Sequence, residues 1–185
     1  VSAAISLLSM LLFAVTGITL NHAASIDAKP VVKDSSGTLP GPLRPLLASP
    51  PRADAPLPTA VAKAVRDIVG VDAGSHAGEW SDGEVYVALP RPGGDAWVSI
   101  DRANGHISAE TTDRGWISYL NDLHKGRNAG AIWFWFIDLF AAACVLFTIT
   151  GLLLLQFHAR RRPMTWPMVA AGVALPIIVA ILFIH

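Results

Sequence analysis

Three long stretches of this sequence are almost free of charge, and they restrict what the chain can fold into more than any other feature. Val1 to Leu20 and Met164 to Ile184 contain no Asp, Glu, Lys or Arg, and Gly130 to Phe157 contains only Asp138. A bilayer core of about 30 Å is crossed by about 20 apolar helical residues. Each stretch therefore predicts a transmembrane helix. Hydrophobic residues make up 52% of the chain and charged residues 15%, and the apolar residues are gathered in these runs rather than dispersed as in a soluble domain. The first run is longer than the apolar core of a signal peptide, which favours an anchor, although Asn21 to Ser25 resembles a cleavage site.

Orientation follows from the short loop 159–163, which holds Arg160, Arg161 and Arg162. Positive charge in short loops marks the cytoplasmic side, whereas a segment as long as 21–129 translocates largely regardless of its charges. The expected topology has the N-terminus cytoplasmic and both 21–129 and the C-terminus extracytoplasmic, which is periplasmic in a bacterium. Trp116, Trp133 and Trp135 on one side and Trp166 on the other suit aromatic belts. The lone Cys144 lies within the second apolar run, so the polar segment needs no disulfide. A net charge of zero gives no electrostatic case for a nucleic-acid partner.

Within the polar segment, 22–57 is rich in proline without helical or strand periodicity, and reads as an extended tether. Packing of Leu39, Leu43, Leu46 and Leu47 on the following domain is equally compatible. From 58 to 115 the pattern is that of a small α+β domain. Thr59 suits an N-cap for a helix with a stripe of Val61, Val65 and Ile68 or Val69, stopped by Gly70. Glu84–Leu89 and Ala96–Ile100 alternate as strands around a turn at Pro90–Asp95. A second turn at Asp101–Gly105, with Asn104-Gly105 suited to positive φ, leads to a third strand at His106–Thr111. A domain this small buries little apolar surface, so packing on the membrane region is expected. Residues 116–129 read as an interfacial amphipathic segment, 130–158 as the second span and 164–185 as the third.

Particular stretches carry a family likeness. The strand-turn-strand Val98-Ser-Ile-Asp-Arg-Ala-Asn-Gly-His-Ile107 resembles a PepSY domain. The membrane segments resemble those of PepSY-associated transmembrane proteins in three pieces that fall in the family's order. These are Leu12-Phe-Ala-Val-Thr-Gly-Ile-Thr-Leu-Asn-His22, Tyr119-Leu-Asn-Asp-Leu-His-Lys-Gly-Arg127 and Phe147-Thr-Ile-Thr-Gly-Leu-Leu-Leu154. The resemblance implies an inner-membrane haem protein that reduces a ferric siderophore in the periplasm; composition and spacing do not. Relatives of this kind carry a basic, His-containing stretch before the first helix, whereas this sequence starts inside that helix.

Four histidines sit at the ends of apolar runs. His22 and His124 fall at the same expected depth on the extracytoplasmic side, where two imidazoles on neighbouring helices could ligate one haem b iron axially. The plainer alternative is a pair of interfacial histidines that meet only lipid headgroups. His158 lies at the opposite face, about 50 Å away along a continuous helix, and belongs to a second haem or simply to the basic boundary. His185, the last residue, competes with His22 and His124 as an outer ligand. His76 and His106 read as solvated residues of the domain. Asp138, an ionisable group inside a span, either holds a ligand imidazole in its tautomer or pairs with Thr16 or Thr19. Gly17, Ala141 to Ala143, Thr148, Thr150, Gly151 and Gly172 permit close helix approach, for a flat macrocycle or for a homodimer. Pro167 and Pro176 predict bends in the third helix. No phosphate-binding glycine loop, GxSxG or HExxH is present, which disfavours hydrolytic chemistry. Two functions stay open: a b-type haem protein passing electrons to a ferric substrate, or a membrane-anchored module that binds a partner protein or restrains a protease.

Overall fold

The computed structural model describes residues 2–26, 29–48, 54–158 and 162–184. The chain divides into two compact units, Val1–Trp135 and Phe136–His185. Its helices are α1 (Ser2–Asn21), α2 (Thr59–Val69), α3 (Gly115–Lys125), α4 (Gly130–His158) and α5 (Thr165–Phe183), with a 3-10 turn at Gly41–Leu47. Three of them have the length and apolar character to cross a membrane: Ala4–Asn21 within α1, all of α4 and all of α5.

In the first unit, β1 (Val31–Thr38), β2 (Glu79–Trp80), β3 (Glu84–Arg91), β4 (Gly94–Asp101) and β5 (His106–Asp113) form one antiparallel sheet in the order β1-β5-β4-β3-β2. Strand alternation sends Val85, Val87, Leu89, Val98, Ile100, Ile107 and Ala109 to one face, where α2 covers them with Val61, Ala62, Val65 and Val69. Val69 rather than Ile68 completes the helical stripe, and Ile68 stays partly exposed. Gly70 ends α2 in the left-handed conformation at φ 74°. Pro58, not Thr59, occupies the cap position, and Thr59 is the first helical residue.

The proline-rich segment is not a free tether. Its residues 31–38 pair with β5 along their whole length, and Leu39, Leu47, Ala55 and Leu57 enter the core. Val31–Thr38 lacks alternation because it is an edge strand with exposed side chains, specified by the backbone of β5 rather than by its own apolar pattern. Gly37 sits where a Cβ would come within 2.2 Å of Ile68 Cγ2, so α2 lies close over this edge. Arg102 then fastens the segment, donating from Nε to the Leu47 carbonyl at 2.9 Å and from a terminal nitrogen to the Ala48 carbonyl at 2.8 Å.

The expected turns are tighter than their composition suggests. β3 and β4 continue to Arg91 and from Gly94, leaving only Pro92 and Gly93 between them, with Gly93 at φ 71°. In the 101–105 turn Gly105 alone takes positive φ, 75°. Asn104 instead donates its side-chain amide to Asp101 Oδ2 at 2.9 Å. Asp101 Oδ1 accepts the amides of Ala103 and Asn104 at 2.8 and 3.2 Å.

These backbone bonds, from Asn104 first and Ala103 next, hold the Asp101 carboxyl below its ordinary value. The stability they contribute is therefore complete above the usual carboxylate range and is lost as pH falls through the lowered value. An Asp101→Asn protein should be less stable than the parent at neutral pH, and the gap should close in acid. Denaturant melts from pH 7 to pH 2 measure this; a gap that widens on acidification would contradict the assignment.

In the second unit, α5 and the part of α4 beyond Trp135 have no continuous polar face, Asp138 being the one charged residue before His158, and bury none of their residues within the chain. Helices with no polar face are those that meet lipid or other helices. Pro167 falls in the first turn of α5, where its missing N–H has no intrahelical acceptor to lose. Pro176 alone is interior. Arg160, Arg161 and His185 lie outside the described residues.

Candidate functional site at the junction of α1 and α3

Two of the sequence pieces that carry the family likeness pack against each other. α3 is amphipathic, and helical spacing sets Asn121 and His124 on one side and Trp116 and Tyr119 on another. The Asn121 and His124 side meets the last turns of α1. Thr19 Oγ1 donates to Asn121 Oδ1 at 2.8 Å. Thr16 Oγ1 lies 2.7 Å from His124 Nδ1 and donates to the Leu12 carbonyl at 2.8 Å. A hydroxyl has one proton: with it on Leu12 the Thr16 oxygen accepts from Nδ1–H, and with it on Nδ1 the ring accepts, so the tautomer sets the direction. The first arrangement leaves the lone pair of the neutral imidazole on Nε2. The ring packs at 5.4 Å from Phe13 and over Gly17, whose missing Cβ would stand 3.5 Å from Cε1. Thr16 is 3% exposed, so its polar group sits in this junction fully partnered.

On its other side α3 receives the tip of the β3–β4 hairpin. Asp122, 5% exposed, accepts the Gly93 amide on Oδ2 at 2.9 Å and faces Arg127 Nε from Oδ1 at 3.0 Å. Gly126 at φ 67° ends the helix, and its turn brings the Arg127 amide to the Asp122 carbonyl at 2.9 Å. A buried carboxylate is tolerable because a cation and an amide share its charge. A Cβ on Gly93 would stand 2.8 Å from Tyr119 Cα, so glycine is what lets hairpin and helix touch. Arg114 adds a second tie, its amide donating to the Gly93 carbonyl at 2.8 Å and its guanidinium pairing with Asp95. The sheet is thus joined to α3, and α3 to α1, by adjacent residues of one short sequence.

The other proposed histidines are placed differently. His22 is exposed, with Nδ1 3.0 Å from the Ile18 carbonyl of its own helix. It follows Thr16 by six positions, which on a helix is about 9 Å along the axis and about 120° around it. His158 is exposed, with Nδ1 2.9 Å from the Leu154 carbonyl. A carbonyl only accepts, so in both rings Nδ1 carries a proton, and the neutral form of each has its lone pair on Nε2. His76 and His106 are exposed. Thr16 and Thr19, offered above to Asp138, are bonded to His124 and Asn121. Thr148 and Thr150 return their hydroxyls to α4 carbonyls at Cys144 and Leu146. Among the described residues no group of three or more His, Cys, Asp and Glu is arranged for a metal ion; axial ligation of haem asks for only two imidazoles.

A model of the PepSY_TM-like family matches residues 1–185. The chain belongs to this family. Neither the curated proteins nor the solved structures give a match. Family membership and the three apolar helices make it a membrane protein. Sequence reasoning passed over Asn121, Asp122 and Gly93, although adjacent Asn and Asp beside a histidine in an amphipathic helix are the kind of polar insertion that signals a packed junction.

Proposed function

We propose that this PepSY_TM-like protein is a b-type haem protein of a bacterial inner membrane that passes electrons to a periplasmic ferric substrate, a siderophore complex by family likeness. The observation that carries the proposal is that Nδ1 of each ring is engaged, on a backbone carbonyl at His22 and His158 and on Thr16 Oγ1 at His124, which leaves Nε2 as the atom a metal would use. This is the arrangement in which an outer hydrogen bond fixes a ligand imidazole. The donor chemistry therefore fits haem iron, with His124 and His22 as ligands on the side of the sheet domain, His185 as their competitor on that side, and His158 at the far end of α4 for a second haem. Haem, when bound, supplies one-electron redox chemistry between the ferric and ferrous states. The chain supplies the imidazoles, and at His124 a ring held by Thr16 and Phe13. The domain would dock the substrate or a partner, and the bare faces of α4 and α5 leave room for a second copy of the chain. With Arg160 to Arg162 cytoplasmic, the domain is periplasmic.

Purified full-length protein from haem-replete cells should show a Soret band and, after dithionite, the sharp α and β bands of a low-spin bis-histidine haem b. A colourless but helical, monodisperse preparation would sink this reading and leave the anchored binding module.

A further inference from the structure

At the end of the sheet beside α3 lies a cleft of about 410 Å3, with Arg91, Asp113, Trp116 and Tyr119 around a floor of hairpin-turn backbone. This is within the size range of small-molecule sites, about 300–1,000 Å3. The strand register sets Arg91, Gly94 and Asp113 in one row across β3, β4 and β5. Strand spacing puts the two charged residues about 10 Å apart at their Cα atoms. Arg91 reaches across this gap, since its Nε would stand 3.2 Å from a Cβ on Gly94. It is exposed and has no ion pair among the described residues. Asp113 uses Oδ1 to accept the Gly115 amide at 2.8 Å, which leaves Oδ2. Trp116 is 69% and Tyr119 46% exposed on the same helical face, an unusual outlay of aromatic surface for a residue pair facing only water.

The depth of this cleft is set by α1. Asn121 and His124 bond Thr19 and Thr16, which precede the end of that span at Asn21 by two and five residues, about 3 and 8 Å. α3 therefore lies level with the last turns of a membrane helix, and Lys125 leads into α4 within five residues. The headgroup layer, about 5–7 Å thick on each side of the hydrocarbon, falls at this level. At this level the cleft would present a guanidinium, a carboxylate and an aromatic face to lipid headgroups.

We propose that the cleft seats a phospholipid headgroup bearing both a phosphate and a primary amine. The phosphate lies on the Arg91 guanidinium, and the ammonium lies between Asp113 and the Trp116 ring, where carboxylate and aromatic face both favour a cation. A headgroup without the amine leaves Asp113 facing phosphate, which is repulsive, so the site selects the zwitterion.

Full-length protein labelled with 5-fluorotryptophan in neutral detergent micelles, with the Trp116 resonance assigned from Trp116→Phe, is titrated with dihexanoyl phosphatidylethanolamine. The Trp116 signal should shift saturably while that of Trp97 stays in place, and Arg91→Gln and Asp113→Asn should each weaken the apparent affinity about tenfold, as expected for a lost charged hydrogen bond. Both residues are exposed, so neither variant should disturb folding, which the unchanged Trp97 signal verifies. Dihexanoyl phosphatidylglycerol, which has no amine, should bind at least about tenfold more weakly. No saturable shift, equal binding of phosphatidylglycerol, or indifference to Arg91→Gln would each overturn the proposal. Free phosphoethanolamine binding as tightly as the lipid would overturn the bilayer as the source of the ligand.

Discussion

Gly93→Ala is expected to lower the stability of the first unit by about 3 kcal/mol. Two penalties add. A non-glycine residue at φ 71° carries roughly 1–2 kcal/mol of left-handed strain. The new methyl would also stand 2.8 Å from both Tyr119 Cα and Cβ and 2.9 Å from the Tyr119 amide nitrogen, an overpacking of roughly 1–3 kcal/mol. Two of those atoms are backbone, so Tyr119→Ala cannot relieve the clash. The hairpin must move off α3, and the Gly93 amide then leaves Asp122. Gly70→Ala is the matched control, because its φ is 74° but nothing lies within 4 Å of the added Cβ; it should cost about 1 kcal/mol. Denaturant melts of the three proteins, followed through domain tryptophan fluorescence, measure the difference. Equal losses for Gly93→Ala and Gly70→Ala would mean that the hairpin does not rest on α3.

If the proposed haem is bound, His124→Ala should abolish the spectrum of the site on the domain side while leaving the fold intact. The ring contacts Thr16 and Phe13, but Thr16 keeps its bond to Leu12 and Asn121 keeps Thr19, so α3 remains docked. Without Nε2 the chain would lack one of the two imidazoles proposed to hold the haem, and its low-spin signal should disappear rather than shift. Thr16→Val tests the second half of the argument. It removes the hydrogen-bond partner of Nδ1 without removing the imidazole, so haem should still bind, with weaker retention and an altered midpoint potential. Haem content by pyridine haemochrome, electron paramagnetic resonance and redox titration read these outcomes. Full haem occupancy in His124→Ala together with loss in His22→Ala and His185→Ala would place the site elsewhere.

How far the sequence could be read depended on where the information sits. The spans were legible because an uninterrupted apolar run of bilayer length has few other uses, and α1, α4 and α5 fall on those runs. β3, β4, β5 and α2 were legible because one face of each is buried, which imprints a period of two or about 3.6 on the side chains. β1 was not, because an edge strand whose side chains are exposed carries no period. β2, at two residues, is too short to have one. The buried leucines 39 and 47 were visible as apolar residues, but their company of prolines suited a tether equally well.

The junction shows the same division more sharply. Sequence by itself determined that a histidine would stand near the end of each span, that α3 would be amphipathic, and that Gly93 would lie in a turn. It could not determine which residues meet across long separations. His124 meets Thr16, Asn121 meets Thr19 and Asp122 meets Gly93, and none of these pairs is written in local periodicity. Only the tertiary structure decided them, because a buried hydrogen bond is chosen by the requirement that every desolvated polar group find a partner. That requirement is met by the packing of the whole unit, and a short window of sequence holds at most one member of each pair.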